Sequence, residues 1–374
     1  MSKGKISVLV FGLIIIFISG YSLGSPELPF NDTIKIYYSE IANINSDRNY
    51  ETIDDFFYET DVDALINIQT ISDIKEKQQK LIQFIWKDDI PNSNLPTIEK
   101  NFVDVRYENL SNLYQIHKYT VVMEYGVNSI AYLFIPQTTN NELVIYHQGH
   151  GGDFLKGYEM IDSLLQNNFS VIAFSMPLKG LNNNPSVDIP NLGKISLERH
   201  DNFQFLENDS FSPIKYFVDP IYQNLNHIEN EYNFEKFHMI GISGGAWVTT
   251  LFSAIDDRIE KSFAVAGPLP RFLTVNVPGN DGDYELNNPP LYENANILEL
   301  FILSSYGPER EHHKLQYKYD PCCYYGRTFE IFENEVKVKV DSLENGFFEI
   351  HFDETNRKHE ISDESIKLIL KLIQ

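Results

Sequence analysis

The chain contains very little cysteine. Of its 374 residues only two are cysteines, and these are neighbours, Cys322 and Cys323. A disulfide framework is therefore excluded, and so are the C-x-x-C spacings of zinc ribbons and thiol–disulfide enzymes. Because a bridge between neighbouring residues needs an unfavourable peptide geometry, we expect the two thiols to stay unpaired beside a turn.

Positive charge is also scarce. Lys and Arg number 30 against 53 Asp and Glu, which gives a formal net charge of −23 at pH 7. Such a surface repels phosphate backbones, so we expect no nucleic-acid partner. The acidic residues are spread along the chain, which is typical of a solvated surface. Hydrophobic residues make up 43% of the chain, which is enough for a sizeable core.

The N-terminus carries a long apolar run. Lys3 and Lys5 precede residues 6–24, which have no charge. A basic start, an apolar centre and the small residues of Ser22–Gly24 are typical of a secretory signal peptide. The run is also nearly long enough to span a bilayer, so it could stay attached as a membrane anchor. Both interpretations predict that the acidic bulk of the chain is secreted or extracytoplasmic.

After this first segment, residues 1–24, the chain divides near residue 100. Residues 25–100 form a predicted helical and irregular extension, in which Ile71–Trp86 has apolar residues at helical spacing. Residues 101–374 alternate between strand-like and helical patterns, which predicts a mostly parallel sheet with helices on both faces. An antiparallel pair of strands at its start makes the expected sheet mixed.

Two long irregular segments interrupt the alternation. They cover residues 179–210 and 268–294, and the second is rich in Pro, Gly and Asn. Long loops inside a compact domain are usually functional or disordered. We expect both segments to leave the same edge of the sheet, where they could wall a substrate pocket.

One serine stands between glycines at the end of a strand-like run. The stretch FHMIGISGGAW, Phe237–Trp247, places Ser243 in a Gly-x-Ser-x-Gly pattern with a strand before it and a helix after it. A sharp turn there brings together the residues two before and two after the serine, so both must be small. The turn also exposes the hydroxyl near the positive end of the helix, which favours an oxyanion. Ser243 is the candidate nucleophile; the alternative is a structural glycine-rich turn.

A serine nucleophile needs a base. In a strand–turn–helix architecture of this kind, an acid and then a histidine follow the serine along the chain. His359 lies in a predicted loop between the last strand and the last helix, from which its imidazole could reach the serine. We expect His359 to be the base. The other histidines after the serine fall at or within strands, and they are His312, His313 and His351.

The acid that orients the base should end a strand between the serine and His359. Asp320 occupies such a position, directly before Pro321. Its alternative role is that of a turn residue, which is common for aspartate beside proline. We expect Asp320 to be the acid, with Asp353 and Glu354 as fallback candidates.

The oxyanion needs two donors. The backbone N–H of Gly244, directly after the nucleophile, should supply one. The glycine-rich loop of Tyr146–Phe154 follows an early strand and should supply the other, from the N–H of His150 or of Gly151.

The sequence offers little sign of a metal ion. His147 and His150 are three residues apart, but no helix is expected there and no further ligands lie nearby in sequence. The acidic stretch of residues 280–285 does not match the spacing of an EF-hand. We therefore predict no metal and no cofactor.

Four stretches, HQGHGG, GISGG, YDP and KHEIS, occur in this order and resemble the α/β-hydrolase fold superfamily over about residues 106–374. The resemblance implies that fold, with Ser243, Asp320 and His359 as nucleophile, acid and base. GHGG differs from the HGGG form of some lipases and esterases, so the second oxyanion donor stays open.

The resemblance also implies an activity. We expect an exported serine hydrolase that forms an acyl-enzyme, most commonly on carboxylic esters of small molecules, glycans or lipids. Two alternatives stay open. One is a serine peptidase of the prolyl-oligopeptidase kind, although N-terminal propeller repeats are missing. The other is a non-catalytic surface binding protein that kept the fold.

Overall fold

The structure is a computed structural model that describes residues 50–87, 95–275 and 282–374. The apolar run of residues 6–24 lies outside these ranges, so the expected signal peptide or anchor stays a prediction. Within the described ranges, no helix combines the length and the apolar character needed to cross a membrane.

Strands of the described residues form one nine-stranded sheet and a separate two-stranded hairpin. Their bounds, in chain order, are β1 Thr97–Glu99, β2 Leu113–Val122, β3 Asn128–Pro136, β4 Glu142–His147, β5 Ser170–Phe174, β6 Ser186–Ile189, β7 Gly193–Ser196, β8 Lys236–Ile242, β9 Ile259–Val265, β10 Glu311–Tyr317 and β11 Phe347–Asp353.

The large sheet is mixed and mostly parallel, as the sequence predicted. Its strand order is β1-β2-β3-β5-β4-β8-β9-β10-β11, and β6 pairs with β7 in the hairpin. The pairs β1/β2, β2/β3 and β3/β5 are antiparallel. Every pair from β5 to β11 is parallel. The carboxyl ends of these parallel strands therefore meet at one edge, where open α/β sheets place their ligands.

Eight α-helices lie in the described residues, together with several short 3₁₀ segments. The helices are α1 Ile71–Trp86, α2 Tyr158–Gln166, α3 Lys215–Glu231, α4 Gly244–Ile255, α5 Pro289–Asn294, α6 Ile297–Ser305, α7 Glu333–Ser342 and α8 Asp363–Ile373.

Apolar side chains on the two faces of the sheet belong to two separate cores. In β4, Leu143 and Ile145 lie in one core, whereas Val144 and Tyr146 lie in the other. Successive residues of a strand point to opposite faces, so a strand buried on both sides reads as a continuous apolar run. Buried residues of α2 and α8 join the second core, and those of α1, α3, α4 and α6 join the first. The expectation of helices on both faces is confirmed.

The helix predicted over Ile71–Trp86 has those bounds in the structure. A capping box formed by Thr70 and Asp73 begins it. Its buried apolar residues join the core of the sheet, and Trp86 Nε1 donates a hydrogen bond to Asp219 Oδ1 at 2.7 Å. The helix belongs to a compact unit that runs from Tyr50 to Gln374. The domain bounds drawn from the sequence, including the one at residue 100, stay predictions.

The expectation of two unpaired cysteines is wrong. Cys322 and Cys323 form a disulfide with each other, with their Cα atoms 3.7 Å apart. Both residues lie in the turn that follows β10, where Asp320 Oδ1 accepts a hydrogen bond from the Cys322 backbone N–H at 2.6 Å. The turn brings the two sulfur atoms together, whereas their adjacency in sequence had led us to expect two separate thiols.

Candidate functional site

Ser243 occupies the sharp turn between β8 and α4. Its backbone has φ 59° and ψ −121°, a conformation that residues other than glycine rarely adopt. Such a backbone costs on the order of 1 to 3 kcal/mol and is typical of functional sites. The Ser243 N–H donates to Val265 O in the neighbouring strand β9 at 2.9 Å, which ties the turn to the sheet.

The glycines on either side of Ser243 are required by steric contact. A Cβ added to Gly241 would collide with Gly245 O, and a Cβ on Gly245 would collide with His147 O. Both obstacles are backbone atoms, which a rotamer change cannot move. The expectation that the residues two before and two after the serine must be small is therefore confirmed.

The glycine-rich loop after β4 packs directly on this turn. A Cβ on Gly149 would lie 2.8 Å from Ser243 Cβ and 3.3 Å from the Gly244 nitrogen. The backbone of the loop is thus beside the first N–H of α4, as a shared oxyanion site requires. His150 and Gly151 follow Gly149 directly, and the choice between their N–H groups stays a prediction.

Asp320 and His359 are in contact. Asp320 is fully buried after the end of β10, and its Oδ2 lies 2.8 Å from His359 Nδ1. An ionised carboxylate only accepts hydrogen bonds, so Nδ1 carries the proton and Nε2 is left with a lone pair. The His359 side chain is 24% exposed, so the ring borders the surface. An imidazole with its proton on Nδ1 and a lone pair on Nε2 is the form that a general base needs.

The loop that carries His359 is held by Asp353, the last residue of β11. Its Oδ1 accepts from the backbone N–H groups of Thr355 and Asn356 at 2.7 and 3.1 Å, and its Oδ2 accepts from Ser362 Oγ at 3.1 Å. Burial raises the pKa of the Asp353 carboxyl, but these hydrogen bonds outweigh it and hold the pKa below its ordinary value. The hydrogen bonds of Asp353 therefore fix the conformation of the loop that carries His359.

All three predicted triad residues lie at one edge of the sheet. Ser243 follows β8, Asp320 follows β10 and His359 follows β11, and these strands belong to its parallel part. The structure joins Asp320 to His359 by a hydrogen bond and places Ser243 at the same edge. The triad as a whole stays a prediction.

The alternative histidines are bonded within the sheet. His312 Nδ1 lies 2.7 Å from Ser262 Oγ, and His313 Nδ1 lies 3.0 Å from His351 Nε2. His312 and His313 are buried in β10, and His351 lies in β11. Their sequence positions within strands already favoured this structural role.

The sequence did not predict which residues surround His150. Its Nε2 lies 2.8 Å from Glu285 Oε1 and 3.1 Å from His200 Nδ1. His200 and Glu285 are buried and come from the two long segments expected to wall a pocket. Burial raises the pKa of Glu285, but the two imidazoles outweigh it and hold the pKa well below its usual range. No local spacing could have revealed this cluster, because its members lie 50 and 135 residues from His150.

The sequence also did not identify Lys314 as a residue close to the site. Its side chain is fully buried in β10, and its Nζ donates to Gly267 O at 3.0 Å. Burial lowers the pKa of this ammonium group to about 7, against a weaker opposing effect of the Asp320 carboxylate. Gly267 itself is packed on the turn of Ser243, since a Cβ there would lie 2.7 Å from Ser243 O. Gly267 therefore lies between the buried amine of Lys314 and the turn of Ser243.

Comparison with solved structures identifies the fold. Acetyl xylan esterase 1 from Thermoanaerobacterium sp. JW/SL YS485 superposes with a TM-score of 0.55 and 13% identity, over 86% of this chain and 98% of that chain. The acetyl xylan esterase from Paenibacillus sp. R4 gives a TM-score of 0.53 and 11% identity, over 86% of this chain and 99% of that chain. No protein-family model matches the chain, and no curated protein matches its sequence. The protein has the α/β-hydrolase fold, as its sequence predicted.

Proposed function

We propose that the protein is a carboxylic ester hydrolase with Ser243 as nucleophile, His359 as base and Asp320 as acid. The observation that carries the proposal is the combination of a strained Ser243 backbone, φ 59°, with an Asp320–His359 hydrogen bond of 2.8 Å at the same edge of the sheet. Fold alone does not define an activity, because the α/β-hydrolase fold serves many reactions.

The chemistry follows from the positions of the protons. His359 Nε2 accepts the hydroxyl proton of Ser243 as its oxygen attacks the ester carbonyl, and Asp320 stabilises the imidazolium that results. The Gly244 N–H and a second N–H, from His150 or Gly151, stabilise the tetrahedral oxyanion, by about 3 kcal/mol for each donor. The alcohol leaves with the proton held by His359. Water then attacks the acyl-enzyme as His359 takes a proton from it, and His359 returns that proton to Ser243 Oγ as the carboxylic acid is released.

For the substrate, we propose an ester with a short acyl group, with acetylated glycans as the first candidates. The support is the pair of similar structures above, which are named as acetyl xylan esterases. Acetyl, butyryl and longer p-nitrophenyl esters, acetylated xylo-oligosaccharides and a prolyl peptide anilide form a suitable panel. We expect acetyl esters to react fastest; faster cleavage of the peptide would favour a peptidase.

A fluorophosphonate probe tests the nucleophile directly. The purified protein should be labelled, and Ser243→Ala should abolish the labelling while its circular dichroism stays unchanged. Ser342→Ala, at an exposed position in α7, is the matched control and should be labelled like the wild type. Absence of labelling in the folded wild type would point to a binding protein that kept the fold.

We also propose that residues 6–24 direct the protein out of the cytoplasm, either cleaved as a signal peptide or kept as an anchor. The support is the pattern of two lysines followed by an uncharged apolar run. Fractionation of cells that express the full chain or a variant without residues 1–24 tests this. Equal cytoplasmic retention of the two forms would contradict it.

A further inference from the structure

Two imidazoles and two carboxylates converge beside the nucleophile turn. They are His150 from the loop after β4, His200 from the 3₁₀ segment His200–Phe205, and Asp283 and Glu285 from the segment before α5. We call these four residues the His150 cluster. The His150 imidazole fills the space that a side chain at residue 244 would need, since its Nδ1 lies 2.5 Å from a Cβ placed on Gly244.

The candidate ligand atoms of the cluster are closely spaced. His150 Nε2 lies 2.8 Å from Glu285 Oε1, 3.1 Å from His200 Nδ1 and 3.1 Å from Asp283 Oδ2. His200 Nδ1 lies 3.1 Å from Glu285 Oε2. In a tetrahedral zinc site with bonds of about 2.0 to 2.2 Å, neighbouring ligand atoms lie about 3.3 to 3.6 Å apart. The ligand atoms of His150, His200 and Glu285 lie within 4.8 Å of one another, so small shifts of these three side chains would accommodate the ion.

The hydrogen atoms of the cluster do not suffice for its contacts when both imidazoles are neutral. His200 Nε2 lies 2.8 Å from Pro177 O, and a carbonyl only accepts, so the His200 proton is on Nε2. Its Nδ1 lone pair then faces the Glu285 carboxylate, which is also an acceptor. His150 Nε2 has a single hydrogen for Glu285, His200 and Asp283. A cation between these atoms turns every one of these lone pairs into a ligand.

A second histidine cluster in the same chain shows the opposite arrangement. His313 Nε2 donates to Glu311 Oε2 at 2.8 Å, which leaves the lone pair on His313 Nδ1. His351 Nε2 can donate to that atom at 3.0 Å. Each close contact pairs one donor with one acceptor, so neutral imidazoles satisfy this cluster without a cation.

We propose that His150, His200 and Glu285 bind one Zn²⁺ ion, with Asp283, which contacts His150 on the exposed side, as the fourth ligand. Two imidazole nitrogens with carboxylate oxygens are a ligand set that suits zinc, and the hydrogen bond from His200 Nε2 to a backbone carbonyl is the outer contact typical of metal-binding histidines. The Glu285 carboxylate is 1% exposed and Asp283 is 44% exposed, so the site is closed on one side and reached from solvent on the other.

The bound ion would join three distant parts of the chain. It would tie the segments that carry His200 and Glu285 to the loop that packs on Ser243, and so hold the wall of the pocket against the nucleophile turn. Zinc binding does not depend on the proposed ester hydrolysis, so Ser243→Ala should bind zinc as the wild type does.

The test uses the full chain, purified without a polyhistidine tag. After removal of metals with a chelator, the protein receives an excess of ZnCl₂, is freed of unbound metal, and is measured by elemental mass spectrometry. We expect one zinc per chain and a higher midpoint of thermal unfolding than for the metal-free protein. MnCl₂, CaCl₂ and MgCl₂ in parallel samples should bind more weakly, because imidazole nitrogen is a poor ligand for them.

Substitutions test whether the zinc is bound by the His150 cluster. His200→Ala and His150→Gln should each weaken zinc affinity at least about tenfold in a competition with a chromophoric chelator. The matched controls, His313→Gln and His351→Gln, should retain wild-type affinity. Wild-type protein that keeps no zinc would overturn the proposal and leave a buried ion pair of protonated histidine and Glu285. Full zinc affinity in a His150→Gln, His200→Ala double variant would overturn it as well.

Discussion

The carboxylate of Asp320 and the imidazole of His359 meet across 39 residues of sequence, with Oδ2 and Nδ1 2.8 Å apart. Asp320 ends up there because it follows β10, and His359 because its loop follows the adjacent parallel strand β11. The contact fixes which imidazole nitrogen carries the proton, and it therefore decides whether His359 can act as a base.

Asp320→Asn should lower kcat for an acetyl ester by about 10⁴-fold, because an amide can hold the imidazole in the wrong tautomer while the geometry is retained. Initial rates across substrate concentrations measure this. Glu354→Gln is the control, since Glu354 is an alternative acid near the same loop, and it should keep most of the activity. A comparable loss in both variants would remove Asp320 from its assigned role.

Gly245→Ala should destabilise the protein by about 3 kcal/mol or more. The new methyl group would collide with the backbone of His147, and neither that backbone nor the Ser243 turn can move aside locally. Urea unfolding measures the free energy. Gly193→Ala in the β6–β7 hairpin is the control: its φ is 79° and a Cβ there meets nothing within 4 Å, so only a cost of about 1 to 2 kcal/mol is expected. Equal losses would show that the turn tolerates a larger residue.

Asp353→Ala should lower kcat roughly tenfold or more with little change in KM, because the loop of His359 loses the hydrogen bonds to Thr355 and Asn356. The fluorophosphonate probe should still reach Ser243, but more slowly. Asp363→Ala, at an exposed position in the first turn of α8, is the control. An unchanged kcat in Asp353→Ala would mean that the loop holds His359 without this carboxylate.

Lys314 should make stability depend on pH. Its pKa is about 7 in the folded protein and near 10.5 in the unfolded chain, so between these values the unfolded state binds more protons and stability rises with pH. The rise due to this group is about 1.4 kcal/mol per pH unit. It is lost as pH falls toward 7.

Lys314→Met should remove that dependence, so its gain over the wild type should be largest near pH 7 and should shrink toward pH 10. Urea unfolding at pH 7, 8 and 9 measures both proteins. Lys75→Met, at an exposed position in α1, should follow the wild-type pH dependence. A pH-independent difference between Lys314→Met and the wild type would rule out a buried amine with a lowered pKa.

Local chemistry explains what could be predicted at the site. The Ser243 turn was visible because two glycines, an apolar strand and a helix are all contained within Phe237–Trp247. Asp320 and His359 were found because each lies just after a strand with a recognisable pattern, and parallel strands end at one edge. Their meeting is a consequence of that edge.

The sequence by itself determined the order of strands and helices, the helix Ile71–Trp86 and the position of the Ser243 turn, because hydrophobic periodicity and glycine spacing act over a few residues. Only the tertiary structure decided that His150 meets His200 and Glu285, that Lys314 is buried and that the two cysteines pair. Those contacts depend on how loops return to the sheet, and loop paths are set by the packing of the whole chain.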